Sequence, residues 1–348
     1  MIDIFGTLGP ACSNEDILER MFQEGMTGMR LNLSHMMLSD NEEQIRLIKK
    51  AASSQKKEAK ILIDLQGPEL RIGNLMRPLP LKKGDAVVLK EIRSPKEAEA
   101  SAFFEDDPSE GQKVIPLSRT ILRMMDADED FLMDDGKILA HVDRWGENEV
   151  SATILRGGTL SSRKSITVKK DTSHLPSLTE ADRINLKTAV RLGVFGVMQP
   201  FVRGKSDLEE VRGALSEVGG TGLKIYAKIE NRMGVEKIDE LIGSADEIVI
   251  ARGDLGNAMP LWELPGVQKQ IAKRCNASGR AFMVVTQMLA SMEHAPVPTR
   301  AEVSDIYNAV IDGASSVMVT GETAVGDYPA DVIRYLANTA REAERARN

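Results

Sequence analysis

Cysteine is nearly missing from this chain: Cys12 and Cys275 are the only two in 348 residues. They lie far apart in sequence, which excludes a disulfide framework and a cysteine-rich zinc site and predicts two unpaired, reduced thiols. A basic excess is missing too. The 45 basic and 52 acidic residues leave a net charge of −7, so nothing draws the whole molecule to nucleic acid or to an anionic membrane. No apolar stretch approaches the roughly 18 residues of a membrane span, and Met1-Ile2-Asp3-Ile4-Phe5 has no basic leader region. These absences predict a cytoplasmic protein whose anionic ligands must meet a local basic pocket. What is present, 42% hydrophobic and 28% charged residues, is the composition of a globular chain with a large core.

Short apolar runs recur at 2–7, 29–33, 60–65, 193–198, 223–229, 247–251, 281–286 and 315–320. Each is followed by a longer segment of helical period, the signature of a parallel α/β fold. Ser13-Asn14 caps a helix that closes at Gly25, and Thr299 caps one that closes at Gly313. Eight β/α units predict a closed TIM (β/α)8 barrel at 1–71 and 171–348, interrupted after the third strand by a β-rich, barrel-like lid domain at 72–170. Without that insertion about 250 residues remain, the usual barrel size. A doubly wound sheet is the alternative, but no glycine-rich dinucleotide turn follows the first strand.

A barrel's active site gathers at the C-terminal ends of its strands, and these ends carry polar groups. Arg30, Asn32 and Ser34 alternate on the second strand and share one face. Asp64 ends the third strand, Lys228-Ile229-Glu230 the fifth, Arg252-Gly253-Asp254 the sixth, and Thr286 the seventh. Glu230 and Asp254 end successive strands, so their carboxylates can converge on a hard cation such as Mg²⁺. Lys228 shares the face of Glu230, and an ammonium beside a metal suits a phosphoryl group or an enolate in which negative charge accumulates. The bland alternative is a structural ion pair at the rim. Gly253 and Asp254 open a short helix whose free N–H groups suit a carboxylate or phosphate, although a plain strand-to-helix turn has the same composition.

Several motifs resemble pyruvate kinase. They are Thr7-Leu8-Gly9-Pro10-Ala11, Met29-Arg30-Leu31-Asn32-Leu33-Ser34-His35, the stretch 64–71, Ala227-Lys228-Ile229-Glu230-Asn231, Ala251-Arg252-Gly253-Asp254-Leu255-Gly256, and Pro298-Thr299-Arg300-Ala301-Glu302-Val303-Ser304-Asp305 with Gly321-Glu322-Thr323-Ala324. The resemblance implies phosphoryl transfer from phosphoenolpyruvate to ADP, giving pyruvate and ATP in glycolysis. It implies that Lys228 stabilises the phosphoryl group and enolate, that Glu230 and Asp254 hold Mg²⁺ or Mn²⁺, and that Thr286 helps protonate enolpyruvate. Gly253 and Asp254 would hold the substrate carboxylate and Arg30 its phosphate. Asn32, Ser34, Asp64 and the carbonyl of Leu65 would bind K⁺, for which an acid at Glu69 also speaks. His35, Arg71, Asp135 and Lys164 would approach the nucleotide, with Asp134-Asp135-Gly136 as the hairpin closing over it. A homo-oligomer through the barrel is compatible with the resemblance.

Departures are Gln66 where a basic residue is usual, Leu65 where threonine is, Met36 where glycine is, 165–169 at the lid hinge, and Asn257-Ala258-Met259. The chain ends after the eighth barrel helix, where most pyruvate kinases continue into a regulatory domain. The expectation is therefore hyperbolic kinetics indifferent to fructose bisphosphate. Two rivals are a Mg²⁺-enolate lyase or aldolase, which would need neither lid nor potassium site, and a weakly active or non-catalytic regulatory paralogue, which would be expected to lose Lys228, Glu230 or Asp254.

Overall fold

All eight apolar runs form strands in the computed structural model, which describes residues 2–34, 36–67, 70–91, 113–134, 136–146, 148–168 and 175–347. In chain order the strands are β1 (Asp3–Thr7), β2 (Gly28–Asn32), β3 (Lys60–Asp64), β4 (Leu79–Leu81), β5 (Ala86–Glu91), β6 (Lys113–Leu117), β7 (Asp130–Met133), β8 (Ile138–Trp145), β9 (Glu149–Arg156), β10 (Gly158–Leu160), β11 (Ile166–Thr167), β12 (Gly196–Gln199), β13 (Lys224–Ile229), β14 (Glu247–Ala251), β15 (Ala281–Val285) and β16 (Ser316–Met318). β1, β2, β3 and β12 to β16 close into a parallel barrel in the order β1-β16-β15-β14-β13-β12-β3-β2. Closure is by β1 on β16, with Asp3 opposite Ser316. Thr7 reinforces the seam, its N–H donating to Thr323 Oγ1 and its hydroxyl to the Val319 carbonyl, each at 2.9 Å.

Strands of a parallel barrel are buried on both faces, so they read as continuous apolar runs rather than alternating ones. Phe5, Leu62, Met198, Tyr226, Val249, Met283 and Met318 fill the interior, while Ile4, Ile61, Ile63, Ile225, Ile248 and Val284 pack outward into the larger core. Gly28 lies at a close approach: a Cβ there would sit 2.2 Å from the Phe5 ring and 2.4 Å from the Lys60 carbonyl.

Helix ends follow local signals. Asn14 caps the helix Glu15–Glu24 by accepting from the Ile17 N–H, and Gly25 ends it at φ 126°. Thr299 and Glu302 form a capping box on Arg300–Ile311. The run expected at 193–198 begins later, at Gly196, because Gly193 is the left-handed C-cap of the preceding helix Glu180–Leu192. The eighth run likewise contracts to Ser316–Met318.

The chain divides into two compact units, Met1–Pro68 with Pro176–Asn348, and Glu69–Leu175; the divisions fall a few residues outside the expected 72–170. The second unit holds a six-stranded sheet, β11-β7-β8-β9-β5-β6, and the pair β10-β4, packed on its own core of Ile72, Leu89, Ile115, Phe131, Ile138 and Ile154. Among the described residues no helix is long and apolar enough to cross a membrane.

Candidate active site

β2, β3 and β13 bring four charges together at the C-terminal rim. Register places Asn32 opposite Asp64 across β2 and β3. Arg30 reaches over to Asp64, donating from Nε at 2.9 Å and Nη2 at 2.6 Å to Oδ2. Lys228 Nζ lies 3.2 and 3.1 Å from the two Asp64 oxygens and 2.9 Å from Glu230 Oε1. Glu230 Oε2 accepts from the Phe201 N–H at 2.7 Å, so both oxygens of that carboxylate are fixed.

The charge states follow from this packing. Burial alone would raise the pKa of Asp64, but Lys228 and Arg30 oppose it and hold the carboxyl below its usual range. Burial alone would lower the pKa of Lys228, but Asp64 and Glu230, helped by Asp254, hold it well above the ordinary lysine value. The site therefore holds Asp64 ionised and Lys228 protonated in the same buried cluster, each charge being compensated by its neighbours.

Across the rim, Thr286 follows β15 with φ 72°, and Gln287 has φ 53°. A β-branched residue in the left-handed region is a genuine outlier, costing of order 1–3 kcal/mol, and such strain concentrates at functional sites. The surroundings hold it in place. Arg252 donates to the Thr286 carbonyl from Nη2 at 2.7 Å and Nε at 3.2 Å, and is itself anchored to Asp305 at 2.6 Å. Thr286 Oγ1 donates to the Val285 carbonyl at 2.6 Å and accepts from the Gly253 N–H at 2.8 Å. Gly253, expected to offer a free N–H, thus has the Thr286 hydroxyl as its acceptor. Asp254 lies in the helix Arg252–Asn257.

The residues expected around K⁺ are neighbours. The Leu33 N–H donates to the Asp64 carbonyl at 3.0 Å, Asn32 Oδ1 accepts from the Ser34 N–H at 3.1 Å, and Leu65 follows Asp64 directly with its N–H on the Met198 carbonyl. In the second unit, Arg71 pairs with Ser165 across an antiparallel bridge and donates to the Arg163 carbonyl at 2.6 Å. Lys164 forms an ion pair with Asp134 at 2.7 Å. His35, Glu69 and Asp135 lie outside the described residues. Burial pushes the Cys12 thiol up to about 11 and Cys275 to about 12, and neither is paired; both are thus poor nucleophiles.

Sequence reasoning did not disclose the roles of the residues that hold the rim loops. Glu322, quoted within a motif but given no role, is buried and accepts from the Leu289 N–H at 3.1 Å and the Thr320 N–H at 2.7 Å. Arg252 and Asp305 stand inside quoted motifs but had no role assigned, and Asp182 was not singled out.

The family described as "Pyruvate kinase, barrel domain" matches residues 1–333 of this chain. A pyruvate kinase of Geobacillus stearothermophilus is 36% identical over 347 residues, covering 98% of this chain and 56% of that protein. One of Chlamydia trachomatis serovar D is 36% identical over 344 residues, with 98% and 68% covered, and one of Clostridium acetobutylicum is 34% identical over 343 residues, with 98% and 70% covered. The chain spans little more than half the length of the first of these relatives and about two thirds of the others. A barrel with these strand-end residues and a match running over nearly its whole length places the chain in the pyruvate kinase family.

Proposed function

We propose that the chain transfers the phosphoryl group of phosphoenolpyruvate to ADP, forming pyruvate and ATP, as the pyruvate kinase step of glycolysis in the cytoplasm. The observation that carries this reading is Lys228, kept protonated 2.9 Å from Glu230 and about 3 Å from Asp64. The bond from the enol oxygen to phosphorus breaks as an ADP oxygen bonds to it, and negative charge grows on the phosphoryl oxygens and on the departing enolate. Lys228 and Arg30 offer fixed positive charge where that growth occurs, with no reorganisation required.

Glu230 and Asp254 suit Mg²⁺ or Mn²⁺, because both are hard oxygen donors and the Glu230 carboxylate is already oriented by Phe201 and Lys228. Among the described residues no group of three or more His, Cys, Asp or Glu could hold a metal, so substrate and water oxygens would complete the shell. Bound there, the cation would supply Lewis-acid stabilisation of the phosphoryl and enolate oxygens. Asn32, Ser34, Asp64 and the Leu65 carbonyl are the proposed K⁺ ligands.

Thr286 is the proposed proton source for the methylene carbon of enolpyruvate. Its strained backbone keeps the hydroxyl beside Gly253, whose N–H, with that of Asp254, would turn to the substrate carboxylate. His35, Arg71, Asp135 and Lys164 are the proposed nucleotide contacts. A coupled assay of pyruvate release from phosphoenolpyruvate and ADP, with Mg²⁺ and either K⁺ or tetramethylammonium, tests the reading. Turnover that needs Mg²⁺ and ADP and rises with K⁺ is expected. No turnover would refute it, and pyruvate release without ADP, with the phosphoryl group passing to water as inorganic phosphate, would mark a hydrolase instead.

A further inference from the structure

Asp182 is fully buried, yet its carboxylate meets only neutral donors among the described residues. Oδ1 accepts from the Gln66 N–H at 2.8 Å. Oδ2 accepts from the Gly67 N–H at 3.0 Å, and from the Thr179 N–H and hydroxyl at 2.9 and 2.8 Å. The two Thr179 bonds are local to the start of the helix Glu180–Leu192, where the one from the Thr179 N–H forms a capping box with the bond from the Asp182 N–H to Thr179 Oγ1 at 3.1 Å. The other two are not local, since they reach back 116 and 115 residues to the turn that leaves β3. Gly67 shapes that turn with φ +58°, where a Cβ would meet Pro200 Cγ at 2.5 Å.

Gln66 shares a peptide plane with the Leu65 carbonyl. No cis bond occurs among the described residues, so that carbonyl points opposite to the N–H held by Asp182. A carboxylate at the N–H end also polarises the peptide, leaving more negative charge on the carbonyl oxygen. The Gln66 side chain adds a second tie, donating from Nε2 to the Leu33 carbonyl at 3.0 Å. Leu33 stands between Asn32 and Ser34, so the half-buried Gln66, held at its N–H by Asp182, links both stretches of chain that carry the proposed K⁺ ligands.

We propose that Asp182 is a positioning residue for the monovalent-cation site: it aims and polarises the Leu65 carbonyl and, through Gln66, steadies the Asn32–Ser34 arm. This inference rests on the reading of Leu65, Asn32 and Ser34 as K⁺ ligands.

The test is direct binding of Tl⁺, a K⁺ stand-in, followed by thallium NMR in the full chain with KCl as competitor. Asp182→Asn keeps the shape, removes the charge and lacks a second acceptor oxygen for the turn. Thr179→Ala removes the two bonds of the hydroxyl, the one it donates to Asp182 Oδ2 and the one it accepts from the Asp182 N–H, and leaves both turn bonds. Asp182→Asn is expected to weaken Tl⁺ by about tenfold or more, the usual effect of losing an outer-shell ligand support. Thr179→Ala is expected to lower thermal stability but to bind Tl⁺ within about twofold of wild type, since it leaves the outer-shell carboxylate in place. Wild-type affinity in Asp182→Asn, or equal weakening in Thr179→Ala, would overturn the inference while leaving the cation site intact. Absence of KCl-competed Tl⁺ binding in the wild type would overturn the cation-site reading and this inference with it. Should Asp182→Asn not fold, Gln66→Leu carries the test: weakened binding supports the tether, and unchanged binding overturns it.

Discussion

Asp64 and Glu247 sit at opposite rims of the same barrel and are held in opposite ways. Asp64, at the C-terminal end of β3, has Arg30 and Lys228 against it, and its pKa falls despite complete burial. Glu247, at the N-terminal end of β14, is met by hydroxyls: Ser316 Oγ at 2.5 Å and Ser315 Oγ at 3.1 Å. There burial, with Asp3 adding repulsion, raises the carboxyl's pKa. One rim keeps the Lys228 ammonium and the Asp64 carboxylate ionised side by side, and the other satisfies a carboxyl with neutral partners. On the proposed function, the barrel's two ends separate chemistry from stability.

The largest effect should come from breaking the charged rim. Lys228→Met is expected to lower pyruvate formation by roughly a thousandfold or more, the scale of losing a transition-state electrostatic partner. It should also cost stability, of order 3–5 kcal/mol, because Asp64 and Glu230 lose their shared cation; thermal unfolding must accompany the assay. Full turnover in this variant would show that the rim charges are structural.

Thr286→Ala should come next. It removes the hydroxyl but leaves Arg252 on the carbonyl, so kcat should fall by about 10²–10³ on the scale of a lost acid–base group, with the melting temperature nearly unchanged. A changed KM with an unchanged kcat would move Thr286 from proton transfer to binding. Asp305→Ala tests the support behind it. With Arg252 unanchored, kcat is expected to drop by about tenfold, for misplacement of a reacting group is costly even without loss of that group; unchanged kinetics would show that the strained backbone holds itself.

The smallest effect belongs to the other rim. Glu247 binds its proton more tightly in the folded than in the unfolded protein, so it contributes fully below the ordinary carboxyl value of 4.5 and costs stability as the pH rises through its raised value. Glu247→Gln should therefore melt at or above the wild-type temperature near pH 8, by on the order of 1–2 °C, with the advantage vanishing near pH 4. The opposite trend with pH would contradict the assignment. Asp64 and Lys228 titrate away from this window, since the first is shifted below 3.8 and the second above 10.5.

What the sequence disclosed follows from how each feature is encoded. Runs such as 247–251 announced themselves because a barrel strand is buried on both faces, and Arg30, Asp64, Lys228 and Glu230 stood out because charge at the end of an apolar run has few structural uses. Helix starts at Asn14 and Thr299 were legible because capping is local. The left-handed backbone at Thr286 and Gln287 was not, since threonine gives no hint of φ above zero. Nor were the long-range ties: Thr179 and Asp182 cap the start of a helix by a local pattern, and nothing in that tetrapeptide says that the same carboxylate also holds a turn more than a hundred residues away.

The most direct test of the charged rim as a phosphoryl-transfer site is phosphorus NMR of phosphoenolpyruvate and ADP mixed with the chain, Mg²⁺ and K⁺. The account predicts that the phosphoenolpyruvate signal is replaced, phosphorus for phosphorus, by the γ-phosphate of ATP, and that folded Lys228→Met leaves the spectrum unchanged. Inorganic phosphate in place of ATP, or no phosphoryl movement at all with the wild type, would contradict it.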